Sequence, residues 1–561
     1  MVEILYFRIL VNSPIYFSIY DCITKYYYYL CRHKDEIIMG LYINIGNNGF
    51  RTARNSEYVD KSGLIGIVNR TLDTIYKFTC VSRCRRFGKS MAAAMLSAYY
   101  DKSCDSRPLF ADLEIANDPT FETHLNKYSV IFIDMSNFTP RFKDEPNIIG
   151  HIDSEIKNEL LSKNPDVKVS DTDDLMNCLV RVHDATGDRF VLIIDEWDAI
   201  CREFKAGSEA MDRYVTWLRR MFKSVNAADV FAGVYMTGIL PIKKYKTESA
   251  LNNFIEYSMI DPGEFAPYFG FTKDEVSALC QKHSLDFAEV ERWYDGYIIG
   301  NEKSMFNPNS VMTAIRKRRC GNNWGKTGAY DSVSTYIQMN FEGLKDDILK
   351  MLSGSRVKVN TTKFQNDMSV IRSKDDALTV LIHLGYLCYY YEDRTCGIPN
   401  FEVWEEMRNA VENTDWSNIV EVIQNSDNLL DAVIDCDETA VARAIDKAHD
   451  DNTSILSYNN ENSLACVLFI AFIAAKNDYI IHRELATGKG FADLVLIPRR
   501  NIDSPAIVLE LKFDKDADSA IRQIHEKRYV GKVLEYTGNV LLVGINYDKE
   551  NKTHECKIER V

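Results

Sequence analysis

The 561-residue chain is short of the residues that break regular structure, with 13 Pro and 27 Gly, and none of its 14 Cys falls in a paired CxxC arrangement. With 46% hydrophobic and 26% charged residues, this excludes a disordered or low-complexity chain. The irregular cysteine spacing excludes a zinc ribbon and a small disulfide scaffold, and predicts reduced, mostly buried thiols. Positive charge is also scarce: Lys+Arg 67 against Asp+Glu 81 gives a net charge of -14, which excludes a histone-like or polybasic coat. Any nucleic-acid contact must come from a local patch or a metal site. Long apolar runs are missing too. In residues 1–38, Arg8, Asp21 and Lys25 interrupt every run before the roughly 20 residues a bilayer span requires. The same stretch lacks the basic start, apolar middle and small-residue cleavage site of a secretory leader, and reads as an extension ahead of Met39 without functional weight. At roughly 150 residues per domain, the length allows about three or four domains.

What is present begins with Lys77-Phe-Thr-Cys-Val-Ser82, which leads through Arg83-Cys-Arg-Arg-Phe-Gly-Lys-Ser90 into Met91-Ala-Ala-Ala-Met-Leu96. A β-prone stretch, a basic loop and a helix follow one another in the order of a phosphate cradle. In GxxxxGK[ST] loops the backbone N–H groups hold phosphates at a helix N-terminus, the Lys neutralises β/γ oxygens, and the hydroxyl ligates Mg2+. Gly88, Lys89 and Ser90 fill the last three places, while Arg83 stands in place of the first Gly. A GKS tripeptide opening a surface helix is common by chance, so the loop alone leaves nucleotide binding open.

A second element stands where such a loop needs it. Phe190-Val-Leu-Ile-Ile194 closes on Asp195 and Glu196, and five apolar residues in a row predict a strand buried on both faces of a parallel sheet. Ligands of α/β folds bind at the carboxyl ends of such strands. Asp195 is suited to hold Mg2+ through water and Glu196 to polarise an attacking water, the two tasks of in-line phosphoryl transfer. A strand ending in solvated acids is the plain alternative. Ser129–Asp134 predicts another strand, and Asp229–Thr237 a further one, whose Thr237 is either a contact for the γ-phosphate or a turn residue. Arg219 and Arg220 read as a solvated helix face or as charge donors to a neighbouring copy.

Residues 341–450 predict helices, with apolar stripes such as Ile419, Val422 and Ile423, then Leu429, Leu430 and Val433, then Val441, Ala444, Ile445 and Ala448. His383 is an isolated histidine in an apolar run and reads as a core residue, because no second His or Cys is spaced to share a metal. Arg316-Lys-Arg-Arg319 reads as a wet helix end, with a phosphate-contacting patch as the other option.

Towards the C-terminus the pattern changes. A helical stretch at Ser463–Ala475 is followed by Tyr479–Glu484, Phe491–Ile497 and Ala506–Phe513, the last two forming a hairpin with a longish loop. Glu510 and Lys512 project from the same side of their strand. Burying both in an apolar strand is costly unless something compensates. A divalent ion would do so: Asp493 on the partner strand can converge with Glu510 on one Mg2+, whose preference for oxygen suits two carboxylates. Lys512 would then orient the attacking water or help deprotonate it. A structural ion pair is the alternative.

Several segments together resemble a known family. Tyr58-Val-Asp-Lys-Ser-Gly-Leu-Ile65, Arg85-Arg-Phe-Gly-Lys-Ser90, Asp195-Glu196, Thr237-Gly-Ile239, Leu251-Asn-Asn253, Phe269-Gly-Phe-Thr272, Trp293-Tyr-Asp-Gly-Tyr297 and Phe306-Asn-Pro308 are similar to the AAA-ATPase-like proteins of bacteria that carry a C-terminal PD-(D/E)XK nuclease domain. Ala377–Leu387 and Ile398–Val403 also resemble that family. Gly490–Asp493, Glu510–Lys512 and Gln523–Tyr529 resemble its nuclease core, with Phe491 where relatives usually have Arg. The family's loop commonly lacks the first Gly, so Arg83 is no private defect.

The resemblance implies an α/β chain: a P-loop AAA-like parallel sheet over 39–330, a helical linking region over 331–455, and an α/β restriction-endonuclease-like domain over 456–561. Arg85, Arg86, Gly88, Lys89, Ser90, Asp195 and Thr237 would then bind ATP, with Ser90 and Asp195 on its Mg2+ and Glu196 catalytic. Asp493, Glu510 and Lys512 would form the nuclease centre, with Glu484 or Glu461 joining the metal and Gln523 and Tyr529 approaching it. The expected activity is an ATP-regulated, Mg2+-dependent DNA nuclease in the cytoplasm. No membrane partner is expected, and homo-oligomer formation is left open. The competing expectation is a nucleotide-dependent switch or scaffold whose nuclease-like domain binds nucleic acid without cutting it.

Overall fold

The computed structural model describes residues 40–561 apart from 144, 171, 205–206, 243–250, 325–329, 340, 365–370, 415, 417–419, 422, 424, 453–467, 469–470, 488–489, 500–501 and 528–537. The expectations for residues 1–38, Ile419, Val422, Glu461, Tyr529 and the first part of the 463–475 helix lie outside the described residues. The chain divides into two compact units. The first takes in the chain up to Cys80, Lys89–Gly238 and the stretch that ends at Ile255. The second takes in Val81–Gly88, the stretch from Ile239, and Glu256–Val561.

The first unit is built around a sheet whose strands are β1 (Phe78–Ser82), β2 (Ser129–Asp134), β3 (Phe190–Asp195), β4 (Phe231–Gly238) and β5 (Ile255–Tyr257), in the order β2-β3-β4-β1-β5. The β2/β3 and β3/β4 pairs are parallel, with Asp134 opposite Asp195 in register. All six residues of β3 and all eight of β4 are buried. That is what a run of Val, Ile and Leu requires when helices cover both faces. The Lys89–Tyr100 helix packs on this sheet with an Ala-rich first turn, and its residues from Met95 to Tyr100 are all buried. Along β4, Gly233 leaves room for Leu72, whose Cδ2 would lie 2.3 Å from an added Cβ.

In the second unit, a small antiparallel sheet orders β6 (Phe271–Thr272), β7 (Tyr297–Ile299) and β8 (Glu302–Phe306) as β6-β8-β7. Helices at Leu344–Leu352, Lys374–Leu384, Phe401–Glu412, Ser426–Ile434 and Glu438–Asn452 make up the middle of the chain. Capping residues start several of them: Ser373 and Asn400 each accept from a backbone N–H of the first turn. The middle is not purely helical. A second antiparallel sheet, β9 (Val357–Lys358), β10 (Cys388–Tyr390) and β11 (Thr395–Gly397), interrupts it in the order β10-β11-β9. Strands of two or three residues are too short to show a period in the sequence.

The C-terminal sheet runs β12 (Tyr479–Thr487), β13 (Gly490–Pro498), β14 (Ala506–Phe513), β15 (Val540–Asp548) and β16 (Thr553–Arg560) in sequence order. Only β14 and β15 are parallel, and the Ala517–Lys527 helix lies in the connection between them and packs on both. That helix comes very close to the sheet at Gly544, where a Cβ would sit 2.5 Å from the Ala517 carbonyl oxygen. A single apolar core takes in Leu381, Trp404, Leu429 and Ile445 from the middle and Leu509, Val543 and Ile558 from this sheet. The same core includes Cys84 and Phe87 of the basic loop.

Candidate functional sites

In the first unit, β3 delivers Asp195 and Glu196 to the carboxyl end of the sheet. Glu196 has a positive φ of 51°, a left-handed conformation uncommon for a residue with a side chain, and such departures cluster at functional sites. Lys89 is buried, and its Nζ lies 3.6 Å from Glu196 Oε1. The other Glu196 oxygen pairs with Arg202, whose Nε also donates to Asp198 Oδ2 at 3.1 Å. Glu196 is therefore held between two cations. Burial pushes the Asp195 carboxyl up to about 6, against a lowering hydrogen bond from Ser90 and with a further upward push from Glu196. Thr237, at the end of β4, is fully buried, and its Oγ1 has no hydrogen-bond partner among the described residues.

Sequence reasoning missed Arg202. It follows Asp198 by one helical turn on Ala199–Glu203, so the segment Asp195-Glu-Trp-Asp-Ala-Ile-Cys-Arg202 carried the signal. Arg219 and Arg220 lie on the Glu209–Lys223 helix, half-buried and exposed respectively.

The basic loop, described within the second unit, is anchored by its side chains. Arg83 is wholly buried and donates to the carbonyls of Ser82, Tyr257 and Ser258. It fills the place of a glycine with a guanidinium that ties down three backbone oxygens. Arg86, at φ 69°, donates to the Asn323 carbonyl at 2.7 Å and lies over the Trp324 ring. Arg85 is exposed. Gly88 has φ 89° and open space where a Cβ would stand, so the backbone angle, not crowding, calls for glycine there. Left-handed turns of this kind direct successive N–H groups into a concavity suited to anions.

The second constellation is on the C-terminal sheet. The antiparallel β13/β14 pairing includes Leu494 opposite Leu509, and the next residues on the two strands are Asp493 and Glu510. Asp493 Oδ2 accepts the Leu511 N–H at 2.7 Å, which holds its carboxylate against the β14 backbone. Glu510 and Lys512 are both buried, at 2% and 6% exposure. Lys512 Nζ donates to Glu510 Oε1 and to the Leu511 carbonyl, each at 2.9 Å. Gln523, on the Ala517–Lys527 helix, donates to the same Glu510 oxygen. Glu484 stands on β12 between Arg483 and Leu485, which pair with Leu494 and Ala492. The Glu484 side chain lies outside the described residues. Among the described residues, no group of three or more His, Cys, Asp or Glu gathers as for a metal ion. The oxygen donors of Asp493 and Glu510, side by side at the end of a pairing, nevertheless suit a hard divalent cation.

Of the remaining expectations, His383 is buried in the core, with its Nδ1 unpartnered among the described residues and burial lowering its pKa to about 4. Arg316–Arg319 are exposed at the end of the Pro308–Lys317 helix, where positive charge meets the negative end of the helix dipole.

Comparison with known proteins follows the same division. Residues 44–247 match the family described as Predicted AAA-ATPase, and residues 459–557 match the PD-(D/E)XK nuclease superfamily. No curated protein matches. Among solved structures, AMPPCP-bound DnaA from Aquifex aeolicus aligns at 10% identity over 76% of this chain and 97% of its own, with a TM-score of 0.24. The ORC1 protein of Aeropyrum pernix in complex with DNA aligns at 10% identity over 88% and 99%, also with a TM-score of 0.24. Scores that low carry no weight for the fold, which rests on the strand order and the two matched regions. The chain thus joins a parallel-sheet region that matches the Predicted AAA-ATPase family, through a largely helical middle, to a C-terminal region that matches the PD-(D/E)XK nuclease superfamily.

Proposed function

We propose that this chain is an ATP-regulated, Mg2+-dependent phosphodiesterase that cuts DNA. One observation carries the reading: Asp493 and Glu510 succeed one another across the end of the β13/β14 pairing, with the Lys512 ammonium bonded to Glu510 inside an apolar strand. A buried carboxylate and ammonium are an expensive way to stabilise a sheet, since well-packed apolar residues do as well or better. Chemistry is the simplest reason for placing them there.

In this reading Asp493 and Glu510 hold the Mg2+, with Glu484 as a further ligand. When bound, the ion supplies Lewis-acid stabilisation of charge on the scissile phosphate and an acidified water. Lys512, held by two acceptors, would orient the attacking water, with its ammonium stabilising the negative charge that develops on the phosphate oxygens. Gln523 fixes the orientation of Glu510. In the first unit, Lys89 exchanges Glu196 for the β/γ-phosphates of ATP. Glu196, still held by Arg202, is then available to a water. Ser90 and Asp195 hold the nucleotide's Mg2+, and Thr237 meets the γ-phosphate.

The proposal takes 39–330, 331–455 and 456–561 as the functional divisions and places the chain in the cytoplasm. Among the described residues no helix is long and apolar enough to cross a membrane. A second reading, a nucleotide switch whose nuclease-like region binds without cutting, has one point in its favour: Glu510 Oε1 is already taken by Lys512 and Gln523. A cleavage assay decides between them. Wild-type protein with Mg2+, with and without ATP, is incubated with single- and double-stranded DNA and RNA, beside Lys89→Ala and Lys512→Ala. Cleavage of DNA that Lys512→Ala abolishes supports the proposal; absence of any product under all conditions overturns it.

A further inference from the structure

Three cations that no motif singles out come together in the second unit. Arg292 ends the Phe287–Tyr294 helix, Lys476 ends the short Ile473–Lys476 turn, and Arg499 follows β13. Arg292 Nη2 donates to the Lys476 and Asn477 carbonyls at 3.2 and 3.3 Å. Arg499 donates to the same two oxygens, through Nη2 at 3.0 Å and Nε at 3.1 Å. Two guanidinium groups thus share one pair of acceptors. Aromatic faces back the cluster: Arg292 lies 4.1 Å from the Phe401 ring centre and 5.7 Å from that of Trp293, and Lys476 Nζ lies 4.3 Å from that of Trp404.

Like charges held this close repel, and no carboxylate among the described residues offsets them at short range. Glu289, Glu405 and Asp478 act on Arg292 only from further away. Arg292 Nε is buried without a hydrogen-bond partner among the described residues. The mutual repulsion shows in the titration of the group: burial first, then Arg499 and Arg292, bring Lys476 down to about 7, and burial, then Arg292, bring Arg499 down to about 10. As whole residues, Arg292, Lys476 and Arg499 are half-buried.

Capping of the Ile473–Lys476 turn accounts for one guanidinium, since either arginine alone satisfies both carbonyls. The second arginine and the lysine are left in search of an anion. Aromatic rings packed beneath guanidinium groups keep the donors in place while leaving their outer edges for phosphate oxygens. On the chain, Arg499 lies six residues beyond Asp493 along and just past β13. At about 3.3 Å per residue the separation is roughly 20 Å, close to six steps of one DNA strand at about 3.4 Å each.

We propose that Arg292, Lys476 and Arg499 form a phosphodiester-binding site that grips the backbone of a nucleic-acid substrate several nucleotides from the bond cut at Asp493 and Glu510. The site rests on the reading of the C-terminal region as acting on nucleic acid. It supplies the local positive patch that a chain with a net charge of -14 needs for such a substrate.

The test is binding of a fluorescent 30-base-pair DNA duplex to the full chain, measured without divalent metal over a range of salt concentrations. Wild type is compared with Arg292→Gln, Lys476→Met, Arg499→Gln and the nuclease-centre variant Asp493→Asn, with thermal melting of each alongside. The expected result is a loss of about tenfold or more in affinity for each cation variant, and a fall of about one in the slope of log K against log salt. Asp493→Asn, which removes a carboxylate and none of the three cations, should not weaken binding.

A structural clamp would lower the melting temperature and leave the slope unchanged, and that outcome overturns the proposal. So does binding of inorganic phosphate, read by protection against thermal melting, with no binding of duplex. Failure of cleavage in wild type with the slope change intact would sink the nuclease reading and spare this site. Cleavage with the same KM in wild type and in folded Arg499→Gln would do the reverse.

Discussion

Asp493 Oδ2 accepts the backbone N–H of Leu511 at 2.7 Å, so a side chain of one strand takes the hydrogen bond that would otherwise extend the ladder with the next. The substitution of carboxylate for carbonyl sets Asp493 beside Glu510 through the β14 backbone itself. Pre-organisation of this kind lets a cation bind without first ordering its ligands.

Asp493→Ala and Lys512→Ala are each expected to abolish metal-dependent cleavage while leaving ATP affinity unchanged, measured by gel assay and calorimetry on the same preparations. Restoration of cleavage by Asp493→Glu would be compatible with a ligand role. Full activity in Asp493→Ala would remove it.

Lys512→Met leaves Glu510 buried without its ammonium and should destabilise the second unit by about 3 kcal/mol or more. The Glu510→Gln, Lys512→Met double variant should recover most of that loss, because no net charge is then buried. Denaturant unfolding of wild type, Glu510→Gln, Lys512→Met and the double variant gives the coupling directly. Additive losses would show that the pair is not a unit.

Lys89→Ala should weaken ATP binding by at least tenfold, because it removes the cation that opens the helix at the end of the basic loop. Arg202→Ala should retain ATP binding and change the rate of hydrolysis, since Arg202 bonds to Glu196 and Asp198. Equal loss of binding in both variants would show that Arg202 serves the fold of the site as a whole.

Gly544→Ala places a methyl group 2.5 Å from the Ala517 carbonyl and 3.0 Å from the Ala520 Cβ. Overpacking at such a contact costs about 1–3 kcal/mol. Because Gln523 rides on the same helix, nuclease activity should fall further than stability alone explains. Comparison of specific activity with the folded fraction at one temperature separates the two effects.

His383 gives a dependence on pH with a definite sign. Burial lowers its folded pKa from 6.5 to about 4, so between those values the unfolded chain binds a proton that the folded chain does not. Stability from this group is complete above 6.5 and falls as the pH drops, by about 3 kcal/mol at pH 4. The difference in unfolding free energy between wild type and His383→Leu should be constant at neutral pH and shift by that amount in acid. A flat difference throughout would mean that the ring is charged or solvated in the folded state.

Much of this arrangement can be read from the residues alone. The apolar run of β3 and its two terminal acids mark the strand and the end that matters. The i, i+2 spacing of Glu510 and Lys512 puts both on one face. The short strands β9–β11 escape because two or three residues carry no period. For Arg202 the i, i+4 spacing from Asp198 is legible in the segment, but the pairing with Glu196 depends on the left-handed turn there, and a backbone angle of that sort leaves no mark in composition. The meeting of Arg292 with Lys476 and Arg499 is harder still, since residues far apart in the chain become neighbours only through packing of the whole second unit.

The Glu438–Asn452 helix is fastened to the last strand by polar contacts: Glu438 accepts from the Ile558 N–H and pairs with Lys557, Asp446 accepts from the His554 N–H, and Asp446 again meets the His554 ring. A fragment trimmed to begin at residue 456 would therefore bare the outer strand's greasy side and leave His554 without its acid. Anyone wishing to study the C-terminal sheet in isolation should begin the fragment well upstream, ahead of the Ser426–Ile434 helix, or expect insoluble material.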